Sequence, residues 1–158
     1  MAKSKKLSSS VILKQNAKEF VQKKATIDID GEDYEFLVDQ NFRISKIQEM
    51  IFEGLSNHKN YKNVNETVRI LYFSYLIIKH FTNIDFSQVK TFEDEIRMIN
   101  SLLDLNIIEG VFKHVPEGEI LKVKDFMSKV NEKIIELEKK GEKIPGLKEF
   151  IEKEVITK

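Results

Sequence analysis

The chain has 158 residues, 41% hydrophobic and 33% charged, with 26 basic and 26 acidic side chains. At about 100–200 residues per domain that is one domain with room for an arm, too apolar for wholesale disorder and too balanced in charge for a dedicated nucleic-acid binder. With no Cys, two Pro and six Gly it is neither a disulfide scaffold, a cysteine zinc site nor a collagen. No apolar run approaches the roughly 20 residues of a membrane span and no secretory signal opens the chain, so the expectation is a soluble intracellular protein without a membrane partner.

The charge balance is not local. Residues 1–24 carry seven lysines (Lys3, Lys5, Lys6, Lys14, Lys18, Lys23, Lys24) against one acid, Glu19. Residues 25–42 carry six acids (Asp28, Asp30, Glu32, Asp33, Glu35, Asp39) and no Lys or Arg. Such blocks read as solvated surface, as a phosphate or acidic-partner contact, or as mutually attracting segments within a chain or between copies.

In chain order, a helix is expected over 11–24 with Ser9 or Ser10 as its cap, its apolar face Ile12, Leu13, Ala17, Phe20 and Val21. The period then changes to two. Ile27 and Ile29 before Asp30-Gly31, and Tyr34, Phe36 and Val38 after it, predict a β-hairpin. A two-residue turn would pair Ile27 with Tyr34, and a four-residue loop Ile29 with Tyr34. The second matches more apolar pairs across strands and is the expected one. A helix follows over 45–55, capped by Ser45, with the stripe Ile44, Ile47, Ile51 and Leu55. Residues 56–64 read as a polar connector carrying Tyr61. Asn65 caps the most apolar segment, 66–82, apolar on most sides and therefore the buried centre. Thr91 with Asp94 forms a loose capping box for a helix over 92–104, and a short helix over 106–114 ends at Pro116. In the last section Ile120, Val123, Met127, Val130, Ile134 and Leu137 are spaced 3, 4, 3, 4, 3, a heptad seam that is either core or a candidate subunit interface. Asp125 with Lys129 and Glu136 with Lys140 are i,i+4 pairs on its wet face. Gly141 stops it, and a helix over 145–156 (Leu147, Phe150, Ile151, Val155) completes a helical hairpin. The fold class expected is mainly α with a small β-hairpin (α+β). The parts are a basic arm (1–24), a hairpin with a helical core (25–116) and a C-terminal helical hairpin (117–158).

Chemistry is harder to find. His58, His80 and His114 sit in three different elements and do not form a metal-ligand cluster. Asp28, Asp30, Gly31, Glu32 and Asp33 depart from a calcium loop, because Gly31 directly follows the second acid and strands replace the flanking helices. The glycines form no phosphate-cradling or nucleophile-elbow motif, and the acids Glu93, Asp94 and Glu95 suit a helix start. The expectation is a non-enzyme with no catalytic, metal or cofactor residues. The arm lysines are the candidate phosphate or acidic-partner contact.

The order of elements resembles a known group. The run Ile27 to Phe36 leads into Ile44-Ser45-Lys46-Ile47-Gln48-Glu49-Met50-Ile51. An apolar helix then reaches Phe81-Thr82-Asn83-Ile84-Asp85-Phe86, and a Leu-rich helix Ile107-Ile108-Glu109-Gly110 and Val115-Pro116-Glu117-Gly118-Glu119. Over residues 25–120 this resembles small helical virion or assembly proteins encoded among the head and tail genes of phages of Gram-positive bacteria. The resemblance implies a capsid-lining, connector or minor structural protein, located in the virion or host cytoplasm. It would bind itself or a larger capsid or tail protein, with non-specific DNA contact through the arm. Alternatives are a tail assembly chaperone and a small nucleic-acid-binding regulator using the arm. Against the last, the arm holds no Arg, the usual bidentate reader of guanine.

Overall fold

The computed structural model describes residues 6–61 and 63–142. Their order is α1 (Ser9–Glu19), β1 (Gln22–Ile29), β2 (Glu32–Asp39), α2 (Ile44–Ser56), a single turn α3 (His58–Tyr61), α4 (Glu66–Phe81), α5 (Phe92–Asp104), α6 (Ile107–Phe112) and α7 (Glu117–Lys139). The class is α+β, mainly helical with one antiparallel hairpin. The helix expected over 145–156 lies outside the described residues, as do Lys3 and Lys5.

Helix α4 is the centre. Asn65 Oδ1 accepts from the Val68 N–H at 2.9 Å, which satisfies one of the free donors at its start. Tyr72, Tyr75, Leu76, Ile77, Ile78 and Phe81 are buried along it. Phe42, from the turn between hairpin and α2, stacks on Phe81 with ring centres 3.6 Å apart. Helix α5 starts with the capping box the sequence predicts: Thr91 Oγ1 accepts from Asp94 N at 3.1 Å, and Asp94 Oδ2 accepts from Thr91 N at 3.2 Å.

The hairpin corrects the expected four-residue loop. Asp30 and Gly31 have φ of 55° and 84°, so they form a two-residue turn with both central residues left-handed. Ile29 stands opposite Glu32, Ile27 opposite Tyr34 and Ala25 opposite Phe36. Both registers keep the same residues on the same face, so hydrophobic alternation could not choose between them. The Asp-Gly turn chooses, because its twist matches the strands. Ala25, Phe36 and Val38 are buried, whereas Tyr34 at the tip is 49% exposed. The free edge of β2 is closed by the end of α4. Val38 bridges Thr82, Asn83 N donates to the Leu37 carbonyl at 3.1 Å, and Leu37 N donates to Asn83 Oδ1 at 2.6 Å.

Four other expectations shift. Helix α1 ends at Glu19, and Lys23 and Lys24 belong to β1. Its cap is Ser8, whose Oγ accepts from Val11 N at 3.4 Å, one residue before the expected Ser9. Helix α2 is preceded by Arg43 without a side-chain cap, so Ser45 does not cap it, and Ile44 is 46% exposed while Met50 takes its place in the buried stripe. The connector 56–64 contains α3, whose Tyr61 is buried and stacks on Tyr72 at 3.9 Å. It is core, and unavailable to stack on a base.

Helix α6 lies against β1 at Gly110, where an added Cβ would sit 2.9 Å from Ile27 Cγ2. Ile27 is β-branched and stiff, so it cannot swing aside. Gly to Ala in an exposed helix normally stabilises by about 1 kcal/mol. Here Gly110→Ala is expected to cost ~1–3 kcal/mol through overpacking. In a urea-unfolding double-mutant cycle, Ile27→Ala should remove most of that cost. Additive losses would show that the two sites do not touch.

Candidate functional site

The structure spreads the arm lysines over two elements. Lys6, Lys14, Lys18, Lys23 and Lys24 are all exposed. Lys14 and Lys18 lie one turn apart on α1, and Lys23 and Lys24 are on β1. Lys24 pairs with Glu35 at 2.6 Å, both more than half exposed, a contact of about 0–1 kcal/mol. Lys6, Lys14, Lys18 and Lys23 make no ion pair with another described residue. Helix α1 itself buries nothing: Ile12 is 53% and Leu13 68% exposed. Among the described residues its ties to the rest of the chain lie in its last turn and just beyond, where the Arg43 guanidinium donates to the Asn16 carbonyl at 3.5 Å. Asn41 Nδ2 donates to the Glu19 carbonyl at 3.3 Å, and the Arg43 guanidinium lies 4.4 Å from the centre of the Phe20 ring.

The heptad seam is on α7 and divides into two rows. Val123, Val130 and Leu137 are buried in this chain's own core and are not left for a second subunit. Ile120 and Ile134 are half-buried against that core, and Met127 is exposed. Glu136 and Lys140 form the expected pair at 2.8 Å, and Lys133 joins them at 2.7 Å from Glu136.

A polar cluster that the sequence did not reveal sits where α2, α3, α4 and α5 meet. Glu53 holds Lys79 Nζ at 2.5 Å and lies 2.7 Å from His80 Nε2. Beside it, the Tyr61 hydroxyl donates to Glu95 Oε2 at 3.1 Å, and Asn57 Nδ2 donates to the Tyr72 hydroxyl at 3.0 Å. The Tyr75 hydroxyl is buried without a hydrogen-bond partner among the described residues. Burial pushes the Glu53 carboxyl up, but the hydrogen bonds from His80 and Lys79 and their charges outweigh it, so it titrates below its ordinary value. Glu95 goes the other way: burial dominates over the Tyr61 hydrogen bond and the pull of Lys79. Burial also raises Tyr72, to about 12. Glu53 is separated from Lys79 and His80 by 26 and 27 residues, so no local spacing announces the contact. The one hint was three tyrosines in and beside the most apolar helix, whose hydroxyls need partners. Among the described residues, no group of three or more carboxylates and imidazoles could hold a metal.

The cluster gives opposite pH responses. A carboxylate lowered in the fold contributes stability that is present above its ordinary pKa and lost as pH falls through the lowered value. Glu53→Gln should therefore cost ~1–2 kcal/mol near neutral pH, after discounting for solvent. That gap should close on acidification below the ordinary 4.5. Glu95, raised in the fold, is costly while charged, so Glu95→Gln should be neutral or stabilising at neutral pH. Urea unfolding of both variants over the acid range checks this, and a Glu53→Gln loss that stays constant with pH would show that ionisation is not its source.

Among the described residues, no helix is long and apolar enough to cross a membrane. The family model YomO matches residues 11–158, all but the first ten residues of the chain. Neither a curated protein nor a solved structure matches it. The family comes from a Bacillus phage or prophage region, in keeping with the broader half of the resemblance seen in the sequence. By that match the chain belongs to the YomO family.

Proposed function

We propose that this is a non-enzymatic, phage-encoded structural or assembly protein that works by protein–protein contact, in the virion or in the host cytoplasm. The observation that carries this reading is α1. An isolated helix of 11 residues is marginal in water, and this one has a cap, an apolar face and no buried residue. Exposed Leu7, Ile12 and Leu13 with free lysines around them suit a partner that is apolar at its centre and acidic at its rim. A capsid-lining or connector role would use this face between copies or against a larger shell protein. A tail assembly chaperone would use it to cover a sticky client.

Light scattering over a concentration series tests the first form. A defined oligomer is expected, dissociating when Ile12→Asp and Leu13→Asp are combined, with the fold unchanged because neither residue is buried. A monomer at every concentration would remove self-assembly and leave the chaperone form.

The unpaired lysines also favour a second reading, nucleic-acid binding through the arm. Four phosphate contacts would give log affinity a slope of about −3.6 against log salt for duplex DNA. A binding titration in rising salt decides this. A flat response, or binding retained after Lys14→Ala and Lys18→Ala, would exclude the arm as a DNA contact.

A further inference from the structure

The hairpin has one closed edge and one open edge. Gln40 N donates to the Val21 carbonyl at 2.8 Å, which makes Val21 and Gln40 a hydrogen-bonded pair. From there the antiparallel ladder alternates. Lys23, Ala25, Ile27 and Ile29 bond to β2, while Gln22, Lys24, Thr26 and Asp28 turn their N–H and carbonyl groups away from it. On β2 the same alternation turns Leu37 outward, and Asn83 takes both of its backbone groups. No described residue does this for Lys24, Thr26 or Asp28. We propose that this open edge joins two copies of the chain, β1 of each lying antiparallel beside β1 of the other about a two-fold axis at Thr26. The surface is separate from α1, and the inference goes beyond the function proposed above without resting on it.

The edge is fit to pair. A long regular edge is normally blunted by a Pro, a bulge or a covering element. Strand β1 runs eight residues without Pro, and its register with β2 is unbroken from Gln22 opposite Asp39 to Ile29 opposite Glu32. Gln22, Lys24, Thr26 and Asp28 are all exposed.

The sequence of the edge selects the occupant. Outward backbone groups must meet outward backbone groups, so the even-numbered residues of the two strands stand opposite one another. In the register centred on Thr26, Lys24 faces Asp28 of the second copy, twice by symmetry, and Thr26 faces Thr26. Both are favourable cross-strand pairs. These three residue pairs exchange about six backbone hydrogen bonds. On the other face Ala25 comes opposite Ile27 of the second copy. Ala25 is buried and Ile27 half-buried in the core, so the apolar face continues across the axis. Sliding one copy by two residues leaves Lys24 opposite Thr26 or the turn residue Asp30, and a parallel copy in register sets Lys24 against Lys24.

The charges of the hairpin point the same way. Asp28 and Asp33 stand directly opposite each other, a destabilising like-charge pair. Asp28 Oδ1 accepts from Gly31 N at 3.3 Å, but neither carboxylate makes an ion pair with a described residue. Lys24 of the second copy arrives beside Asp28. Within its own chain Lys24 holds Glu35 at 2.6 Å with both side chains more than half exposed, which leaves its ammonium room for a second carboxylate. Like charges across the axis, Lys24 with Lys24 and Asp28 with Asp28, stand four residues or roughly 14 Å apart along the strands, beyond the screening length of about 8 Å at physiological salt.

The chain has no cysteine, so Thr26→Cys introduces a single thiol. Across a hydrogen-bonded pair the Cα atoms are about 5.5 Å apart, near the commonest separation in a disulfide. Under mild oxidation of the full chain, Thr26→Cys should give a disulfide-linked dimer roughly ten-fold or more faster than Asp28→Cys, whose thiols start too far apart, or Glu132→Cys, exposed on α7. Equal rates at the three positions, or fastest closure at residue 28, would overturn the inference. Light scattering gives a second readout in the Ile12→Asp, Leu13→Asp background, where the α1 contact is removed. That chain should dissociate to the edge-paired dimer and no further. Adding Thr26→Pro should convert it to a monomer with the fold intact by circular dichroism, because the N–H that Pro removes faces away from β2. If Thr26→Pro unfolds the chain, the cysteine rates decide alone. A background chain that is already monomeric, or a folded dimer that Thr26→Pro does not disturb, would overturn the edge pairing and leave the α1 reading standing.

Discussion

Helix α4 has more apolar surface than two neighbours can cover, and the rest of the fold is arranged to cover it. Six of its side chains are buried, each contributing about 1.5–3 kcal/mol relative to exposure. Helix α2 approaches closely because it presents Gly54, where even a Cβ would come within 3.1 Å of Leu76 Cδ1. The single turn α3 delivers Tyr61 onto Tyr72, and Phe92 at the start of α5 meets Tyr61 edge-on at 4.9 Å. At its far end α4 runs into Thr82 and Asn83, which take over the free edge of β2. A two-stranded hairpin is marginal alone. Here it is held by the same helix whose apolar surface it helps to cover.

Burying that helix also buries polar groups, and they are gathered rather than scattered. The tyrosine hydroxyls of α3 and α4 face the carboxylates of Glu53 and Glu95, whose charges reach Tyr72 and Tyr75. Low dielectric strengthens each contact made there and raises the cost of each one missing. Glu53 is satisfied by two donors and titrates low. Glu95, with one tyrosine, titrates high. Two carboxylates in one interior thus end on opposite sides of their ordinary value: burial prevails at Glu95, whereas at Glu53 the hydrogen bonds and charges of His80 and Lys79 together outweigh it.

Much of this was legible in the chain because it is written locally. Asn65 and Thr91–Asp94 announce helix starts by chemistry that acts over three residues, and both caps form. The period change at Ala25 marks the strands. What was not legible is what depends on distant partners. Two registers of the hairpin share one hydrophobic pattern, and only the left-handed pair Asp30-Gly31 separates them. Phe20 and Val21 fit a helical stripe as well as they fit the approach to β1, so the helix read from the sequence runs five residues past the end of α1. Tyr61 looks like a loop residue among Asn and Lys until Tyr72 and Phe92 are brought against it. Among the candidate site residues, the seam at 120–137 was a correct stripe. Its division into a buried row and a half-open row follows from where α2 and α4 stand, which periodicity alone does not encode.

A net charge of zero hides a strong polarity. The hairpin pairs one lysine with one acid across its strands, Lys24 with Glu35, and near its root Asp39 is buried against Lys46 at 2.7 Å. The remaining acids, Asp28, Asp30, Glu32 and Asp33, collect at the tip, and the free lysines collect at the root and on α1. From Lys23 to Asp30 the strand extends about 23 Å, against a screening length of about 8 Å at physiological salt. The two ends therefore cannot neutralise each other and act on their surroundings separately. A partner meeting α1 encounters an apolar stripe in a positive field, and one meeting the hairpin tip encounters a negative field. Opposite charge at the two ends of one element is satisfied equally in a two-fold antiparallel pair and in a head-to-tail row, since in either case the positive end of one copy meets the negative end of the next.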